Sequence, residues 1–537
     1  MTSAIPFAAP GEELRGKFSI FALRVVRNVP HAALVRDVRQ AQQRLARAGV
    51  TARDRVGLIG ENCYHWIVFD LALQSLDCIP VCFPVDEFAT VAWDTLADTY
   101  GLSLLLVTKR FSGRARPPWV LAVDEEETEP AAVRKTDDGL LARIARTTDL
   151  CTIVFSSGTS GKLKALLLSR SGVDSVVDAL VREWAISPSD GVLVALPLSI
   201  FQQRILTYAA LRADADVHFT DPANLFHSFK VLRPTFVLAP PALFETIENR
   251  LGEDMRASRW RWHASRALGL VPFRTTRERW RQQLFPAMQE SFGGRIRALL
   301  TGSAPSKAST LEMFEAAGLP LYQAYGLAEA GFVAWNRPGV NKPMTVGRPV
   351  AGVSISIADD GEIIVAMRHR QAIGYFEVEP AEEAAVFLPD GRVATGDLGA
   401  IDRNGYLSIL GRKKNLILRQ SGEKISVETI EARLAAVPGV KQAVVIGGGD
   451  VAWLAAIVGI DPACEPADEA RARCAVDAAI DDHNQSAKAN ARIDKVLMIR
   501  ISFSPENGLA TRNLKPDRNA IRRRFESELM SDQRRAI

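Results

Sequence analysis

Residues 152–169 read TIVFSSGTSGKLKALLLS, and the fold turns on this stretch. The apolar run Thr152–Phe155 predicts one buried strand, and the run from Leu163 to Leu168 predicts a second. Between them lies a loop of Ser156, Ser157, Gly158, Thr159, Ser160, Gly161 and Lys162. Small residues let backbone N–H groups approach an anion closely, the hydroxyls add donors, and Lys162 and Lys164 add positive charge. Such a loop is a cradle for a polyphosphate. It is not a Walker A loop, which needs GxxxxGK, then Ser or Thr, then a helix. Here Thr159 and Ser160 alone separate Gly158 from Gly161, Leu163 follows Lys162, and the exit is a strand. Taken by itself, the loop also reads as an ordinary Ser/Gly hairpin turn.

Working outward, strands and helices alternate. Leu34, Val38, Ala41, Leu45 and Ala48 fall at helical spacing within residues 32–49. A short apolar strand follows at 55–59, a helix at 66–76 and another strand at 78–84. The alternation returns at 191–196, 234–239 and 296–301, which predicts an α/β architecture. After about residue 385 the pattern changes. Two short strands flank the turn sequence Asp402-Arg-Asn-Gly-Tyr406, then a helix (Val427 to Ala436) and a strand (Gln442 to Ile446) are expected.

At 537 residues the chain exceeds what one hydrophobic core serves, so at least two domains are expected. Net charge is +4, from 66 Lys and Arg against 62 Asp and Glu, which gives no case for a nucleic-acid binder. The six Cys form no CxxC pair and no zinc-like spacing, and most lie in apolar stretches that predict buried thiols in a reducing compartment. The first residues, MTSAIPFAAPGEELRGK, place acids where a signal peptide has an apolar run. No run reaches the roughly 18 apolar residues that span a bilayer. The expectation is a soluble cytoplasmic protein.

Four further blocks now give the loop a family. Tyr325-Gly-Leu-Ala-Glu329, Ala394-Thr-Gly-Asp-Leu-Gly399, Gly411-Arg-Lys-Lys-Asn-Leu-Ile417 and Asn507-Gly-Leu-Ala-Thr-Arg-Asn-Leu-Lys515 follow SSGTSGKLK in order. Together the five blocks resemble the signatures of the adenylate-forming superfamily, which includes acyl-CoA synthetases, peptide-synthetase adenylation domains and luciferases. The resemblance implies a large N-terminal domain of layered sheets and helices (1–410) and a small mobile α+β domain (411–537), hinged near Lys414. It implies ATP and Mg²⁺ as cofactors, with CoA or a phosphopantetheine as acceptor. It places the phosphates on the 156–164 loop, with Thr159 among the catalytic residues. Mg²⁺ goes to Glu329, adenine against Ala324, Tyr325, Gly326, Gly302, Ser303 and Ala304, and the ribose to Asp397 and Arg412. Lys515 bridges the substrate carboxylate and the α-phosphate. The chemistry suits these residues: a carboxylate is already ionised near neutral pH, so the task is to bring two anions together and stabilise developing charge.

The block Leu198-Ser-Ile-Phe-Gln-Gln-Arg204 lacks the acid that an α-ammonium group needs, which argues against amino acids. It resembles the long-chain acyl-CoA synthetases, as does the lysine block. Phe201, Arg204, Gly302 and Ala304 are therefore expected to line a fatty-acid pocket. An aryl acid, or loading of an acyl carrier protein, is the alternative, and a non-catalytic nucleotide-binding protein a more distant one. The last is prompted by Ala328, which replaces the usual Thr. One segment stands outside these blocks. From Arg256 to Arg281 there are eight Arg and one Glu, with Trp260, Trp262, Phe273 and Trp280. Basic plus aromatic composition suggests peripheral contact with an anionic membrane, a carrier protein or the CoA phosphates. The simpler reading is solvated helices whose Trp residues face inward.

Overall fold

The computed structural model describes residues 14–22, 25–111, 113–125, 132–134, 149–157, 163–418, 424–448, 451–460, 465–487, 491–504, 506–510 and 516–530. The chain divides into two compact units. The first comprises Met1–Ala304, Thr310–Ile355 and Val365–Val393, and the second Pro305–Ser309, Ser356–Ile364 and Ala394–Ile537.

The first unit is built on two sheets. Strands Arg55–Ile59 and Ile79–Phe83 are buried at every position, as expected of parallel strands covered on both faces. They sit in a seven-stranded sheet ordered Ala372–Tyr375, Leu163–Ser169, Leu150–Ser157, Ile79–Phe83, Arg55–Ile59, Leu104–Val107 and Val120–Ala122. The two strands predicted around the Ser/Gly loop are there, antiparallel, with Ser156 opposite Lys164 and Ser157 opposite Leu163. The second sheet has nine strands, ordered Arg348–Pro349, Gly331–Trp335, Leu321–Leu327, Ala298–Thr301, Phe236–Ala239, Gly191–Val194, Asp216–Phe219, Lys17–Ala22 and Val25–Pro30. Its central pairs are parallel, so the carboxyl ends at Val194, Ala239 and Thr301 lie along one edge. Ligands of open α/β sheets bind at such edges. The main core includes helices His31–Arg47, Tyr64–Ser75, Arg170–Glu183 and Phe201–Arg212, and the predicted stripe Leu34, Val38, Ala41 and Leu45 is buried.

The second unit is smaller and α+β. The hairpin Val393–Ile401 and Leu407–Arg412 turns at Asp402–Gly405, where sequence placed the turn. Strands Val440–Gly448, Val451–Ile460 and Lys495–Ile499 form a three-stranded sheet, accompanied by helices Glu428–Ala435, Pro466–Ser486 and Arg518–Met530. The hairpin ahead of Gly411 belongs to this unit, because Thr395 Oγ1 donates to Ile363 O at 2.8 Å and Gly399 N to Gly361 O at 3.1 Å.

Candidate active site

Gly158, Thr159, Ser160, Gly161, Lys162 and Lys515 lie outside the described residues. What surrounds the loop is described. Lys164 leaves it on the exit strand, forms an ion pair with Glu382, and holds its Nζ 5.0 Å from the centre of the Tyr375 ring. Tyr375 reaches this place because Ala372–Tyr375 pairs with the exit strand, placing Tyr375 opposite Leu166. Its hydroxyl donates to Glu329 Oε1 at 2.8 Å. Burial and the Glu329 carboxylate push the phenol pKa up, so Tyr375 stays protonated and keeps donating. Ser156 Oγ is buried and has no partner among the described residues.

The Tyr325–Glu329 block owes its shape to two glycines. The strand Leu321–Leu327 shifts register at Tyr325/Gly326, and a side chain at Gly326 would overlap the carbonyl of Gly331. Gly331 has φ +71°, and a Cβ there would overlap Gln371 Oε1. Between them the chain turns through Ala328 and Glu329. Gln371 is buried and donates Nε2 to Ala328 O at 3.2 Å, bracing the turn from below. Gly302 comes so near the same strand that a Cβ would sit 2.9 Å from Ala324 O, and Ser303 takes φ +72°. The expected adenine-facing segments 302–304 and 324–326 are thus neighbours. Thr301 and Gln323 are register partners just behind them, and Thr301 Oγ1 and Gln323 Oε1 are buried without partners among the described residues.

Asp397 and Arg412, separate motifs in sequence, are register partners in the second unit. Arg412 Nε lies 2.9 Å from Asp397 Oδ1. Gly396 supplies the φ +70° of the Thr-Gly-Asp turn. Its N–H donates to Glu362 Oε1 at 2.8 Å, and the other Glu362 oxygen takes Lys413 Nζ at 2.6 Å. Lys414 sits in the single turn Lys413–Asn415, followed by the short strand Ile417–Leu418.

The expected pocket residues part company. Arg204 is 0% exposed and points into the core. Its Nη2 lies 2.6 Å from Asp70 Oδ1, its Nη1 donates to Thr152 Oγ1 at 3.2 Å, and its Nε donates to Tyr208 OH at 3.2 Å. Trp66 and Phe201 face its guanidinium at 5.5 and 5.3 Å. Burial works against this charge, but Asp70 more than offsets it and raises the Arg204 pKa. The placement departs from the sequence expectation: Arg204 is closed off from solvent by burial and spends its charge on Asp70, and Phe201 is its packing partner. A different space opens at the strand ends. A cavity of about 170 Å³ is lined by Leu193, Leu196, Leu225, Val237, Ala239 and Leu243, with neighbouring backbone.

Sequence reasoning missed Tyr375, Gln371, Thr301 and Gln323. It also missed Asp70, although an Asp inside the apolar run Tyr64–Ser75 was a readable sign of a buried partner. For Mg²⁺, no group of three or more His, Cys, Asp or Glu among the described residues forms a cage. A lone oriented carboxylate such as Glu329 fits an ion that takes its other ligands from phosphates and water.

The chain is similar to known proteins over most of its length. The long-chain-fatty-acid–CoA ligase FadD15 of Mycobacterium bovis is 29% identical, with 94% of this chain and 92% of that protein covered. Fatty acyl-CoA synthetase A of Dictyostelium discoideum is 23% identical, covering 90% and 82%. The crystal structure of ATP-bound MatB from Rhodopseudomonas palustris has the same fold, with a TM-score of 0.71 at 20% identity, over 97% and 98% of the two chains. The profile of the AMP-binding enzyme matches residues 21–370, and that of the AMP-binding enzyme C-terminal domain matches 414–531. The chain belongs to the AMP-binding enzyme family.

Proposed function

We propose that this protein is an AMP-forming fatty-acid–CoA ligase. One oxygen of the acid's carboxylate attacks the α-phosphorus of ATP, pyrophosphate leaves, and acyl-AMP forms. A thiolate then attacks the acyl carbon and AMP leaves. No general base is needed in the first step, so the residues position and neutralise. The Ser156–Lys164 loop holds the phosphates, with Lys164 fixed by Glu382 and Tyr375. Glu329, oriented by Tyr375, holds Mg²⁺, which supplies charge neutralisation at the phosphates when bound. Asp397 accepts the ribose hydroxyls beside Arg412, and Lys515 bridges carboxylate and α-phosphate. The body beyond residue 411 then turns about Lys414 and admits the thiol, as hinges of a few residues do.

The observation that carries the substrate class is the cavity of about 170 Å³ at the carboxyl ends of the central strands. Its walls are aliphatic, with no group to receive an ammonium. An engineered cavity of about 150 Å³ admits benzene, so this one admits a length of alkyl chain. The named relatives act on fatty acids, and CoA is their acceptor. The proposal places the enzyme in the cytoplasm, where free thiols persist.

The test is acid-dependent ATP–pyrophosphate exchange with Mg²⁺, across fatty acids of graded length, aryl acids and amino acids, with Lys515→Ala as control. Exchange with fatty acids that is lost in the control supports the proposal. Exchange with aryl acids alone refutes the substrate class, and ATP binding with no exchange refutes the activity.

A further inference from the structure

The Arg-rich segment folds into helix Arg259–Ala267, a turn at Leu268–Leu270 and helix Arg274–Leu284. Some of its residues have structural work. Arg281 is buried, donating Nε to Ser265 O at 3.1 Å and Nη1 to Glu315 O at 3.3 Å, and so ties the two helices together. Arg256 pairs with Glu248, and Arg274 with Glu278. Trp262 turns inward against the core. Arg277 is half-buried. Arg259, Arg261, Arg266 and Arg279 are exposed, and none has a carboxylate in ion-pair range among the described residues. Among them stand Trp260, Leu270, Phe273 and Trp280, exposed by 65%, 88%, 71% and 48%.

Single exposed apolar side chains are common on soluble proteins, but four large ones on one short segment are not. We propose that this two-helix segment docks on an anionic lipid bilayer. The four apolar side chains enter the headgroup layer and the four Arg without a carboxylate partner, Arg261 lying over the Trp260 ring at 5.4 Å, meet lipid phosphates. Aromatic side chains with Arg beside them suit the interface between headgroups and acyl chains. A protein partner needs a surface that packs at interior density. Here Leu270 and Phe273 project from the tip of a turn between helices, a convex shape that a fluid layer accommodates. The inference rests on this surface and not on the identity of the acid.

Flotation of the full chain, without ATP or acid, tests it. One set of vesicles is phosphatidylcholine, the other equal parts phosphatidylcholine and phosphatidylglycerol. The wild type should float with the anionic set, less so as salt rises. Each of Arg259→Gln, Arg261→Gln, Arg266→Gln and Arg279→Gln should lower partitioning about fivefold. Leu270→Ser, at a fully solvated tip, should weaken binding without unfolding the chain. Bilayers with brominated acyl chains should quench tryptophan fluorescence in the wild type, which needs no variant. Equal flotation of wild type and the Arg variants overturns the proposal, as does absence of flotation. Capture by an acidic acyl carrier protein that depends on these Arg residues, with no vesicle binding, overturns it in favour of a protein partner.

Discussion

Replacing Arg204 with Met keeps most of the aliphatic stem and removes the charge. Asp70 is then left fully buried, with only Tyr208 OH and Gln74 Nε2, the latter at 3.2 Å, to satisfy it. Breaking one partner of a buried ion pair costs about 3–5 kcal/mol, because the remaining charge is uncompensated. With a urea m-value near 3 kcal/mol/M, the unfolding midpoint should fall by about 1 to 1.7 M. The double variant Asp70→Leu/Arg204→Met leaves no charge behind and should recover more than half of that loss, since well-packed apolar replacements of buried pairs are often neutral or stabilising. The assay is urea unfolding of the four members of this cycle, with ATP–pyrophosphate exchange at graded acid concentrations alongside. The two measurements separate the roles. An Arg204→Met protein with an unchanged midpoint and a raised KM for the acid would show that Arg204 faces substrate and would refute the core assignment.

Tyr375→Phe removes the hydrogen bond to the Glu329 carboxylate, a loss of about 1.5–3 kcal/mol; adenylation should slow roughly 10- to 150-fold and need more Mg²⁺ for half-maximal rate, whereas a rate within twofold of wild type would show that Glu329 is oriented by something else. Gly331→Ala forces a Cβ onto Gln371 at φ +71°; exchange activity should be lost while far-ultraviolet circular dichroism is kept, and full activity would mean the Ala328–Glu329 turn is not held as described. Ala239→Phe fills the cavity, so KM for long acids should rise at least roughly tenfold while short acids are little affected; a uniform change across chain lengths would move the acyl site elsewhere. His218 is buried and its pKa is lowered to about 4 by burial, with Lys17 and Arg295 adding to the shift. The unfolded imidazole binds its proton near pH 6.5, so the native state is favoured above that pH and loses about 3 kcal/mol as pH falls towards 4. Urea midpoints of wild type and His218→Phe between pH 7 and pH 4.5 should show a shallower acid slope in the variant, and parallel slopes would remove His218 as a cause.

The parts of the fold that sequence revealed are those whose physics is local. The strands around the Ser/Gly loop are continuous apolar runs, the first long helix shows its buried stripe, and the 402–405 turn carries its own Asp and Gly. Motif order singled out Glu329, Asp397 and Arg412, and the structure places Glu329 against Tyr375 and pairs Asp397 with Arg412. The supports were not legible, because they come from strand pairing between distant segments. Nothing near residue 164 announces Tyr375, and nothing near Ala328 announces Gln371. Arg204 misled for the same reason: its neighbour in sequence is a pocket-like Phe201, while its partner Asp70 stands on another helix, 134 residues away.

That distant pairing has a chemical consequence. The exit strand of the phosphate loop and the strand carrying Tyr375 are adjacent in one sheet, joined by Phe376 N to Ala165 O at 2.8 Å. Lys164 touches Tyr375, and Tyr375 holds Glu329. The Lys164 ammonium and the Glu329 carboxylate, to which we assign the phosphates and Mg²⁺, therefore share one mount, although the residues come from three separate segments. Preorganisation of this kind is what a reaction between two anions requires, since the charges that offset repulsion must already be in place. Ala328 takes part in this mount through its backbone carbonyl. The turn is braced through the Ala328 carbonyl and the Glu329 carboxylate, neither of which depends on the side chain at 328.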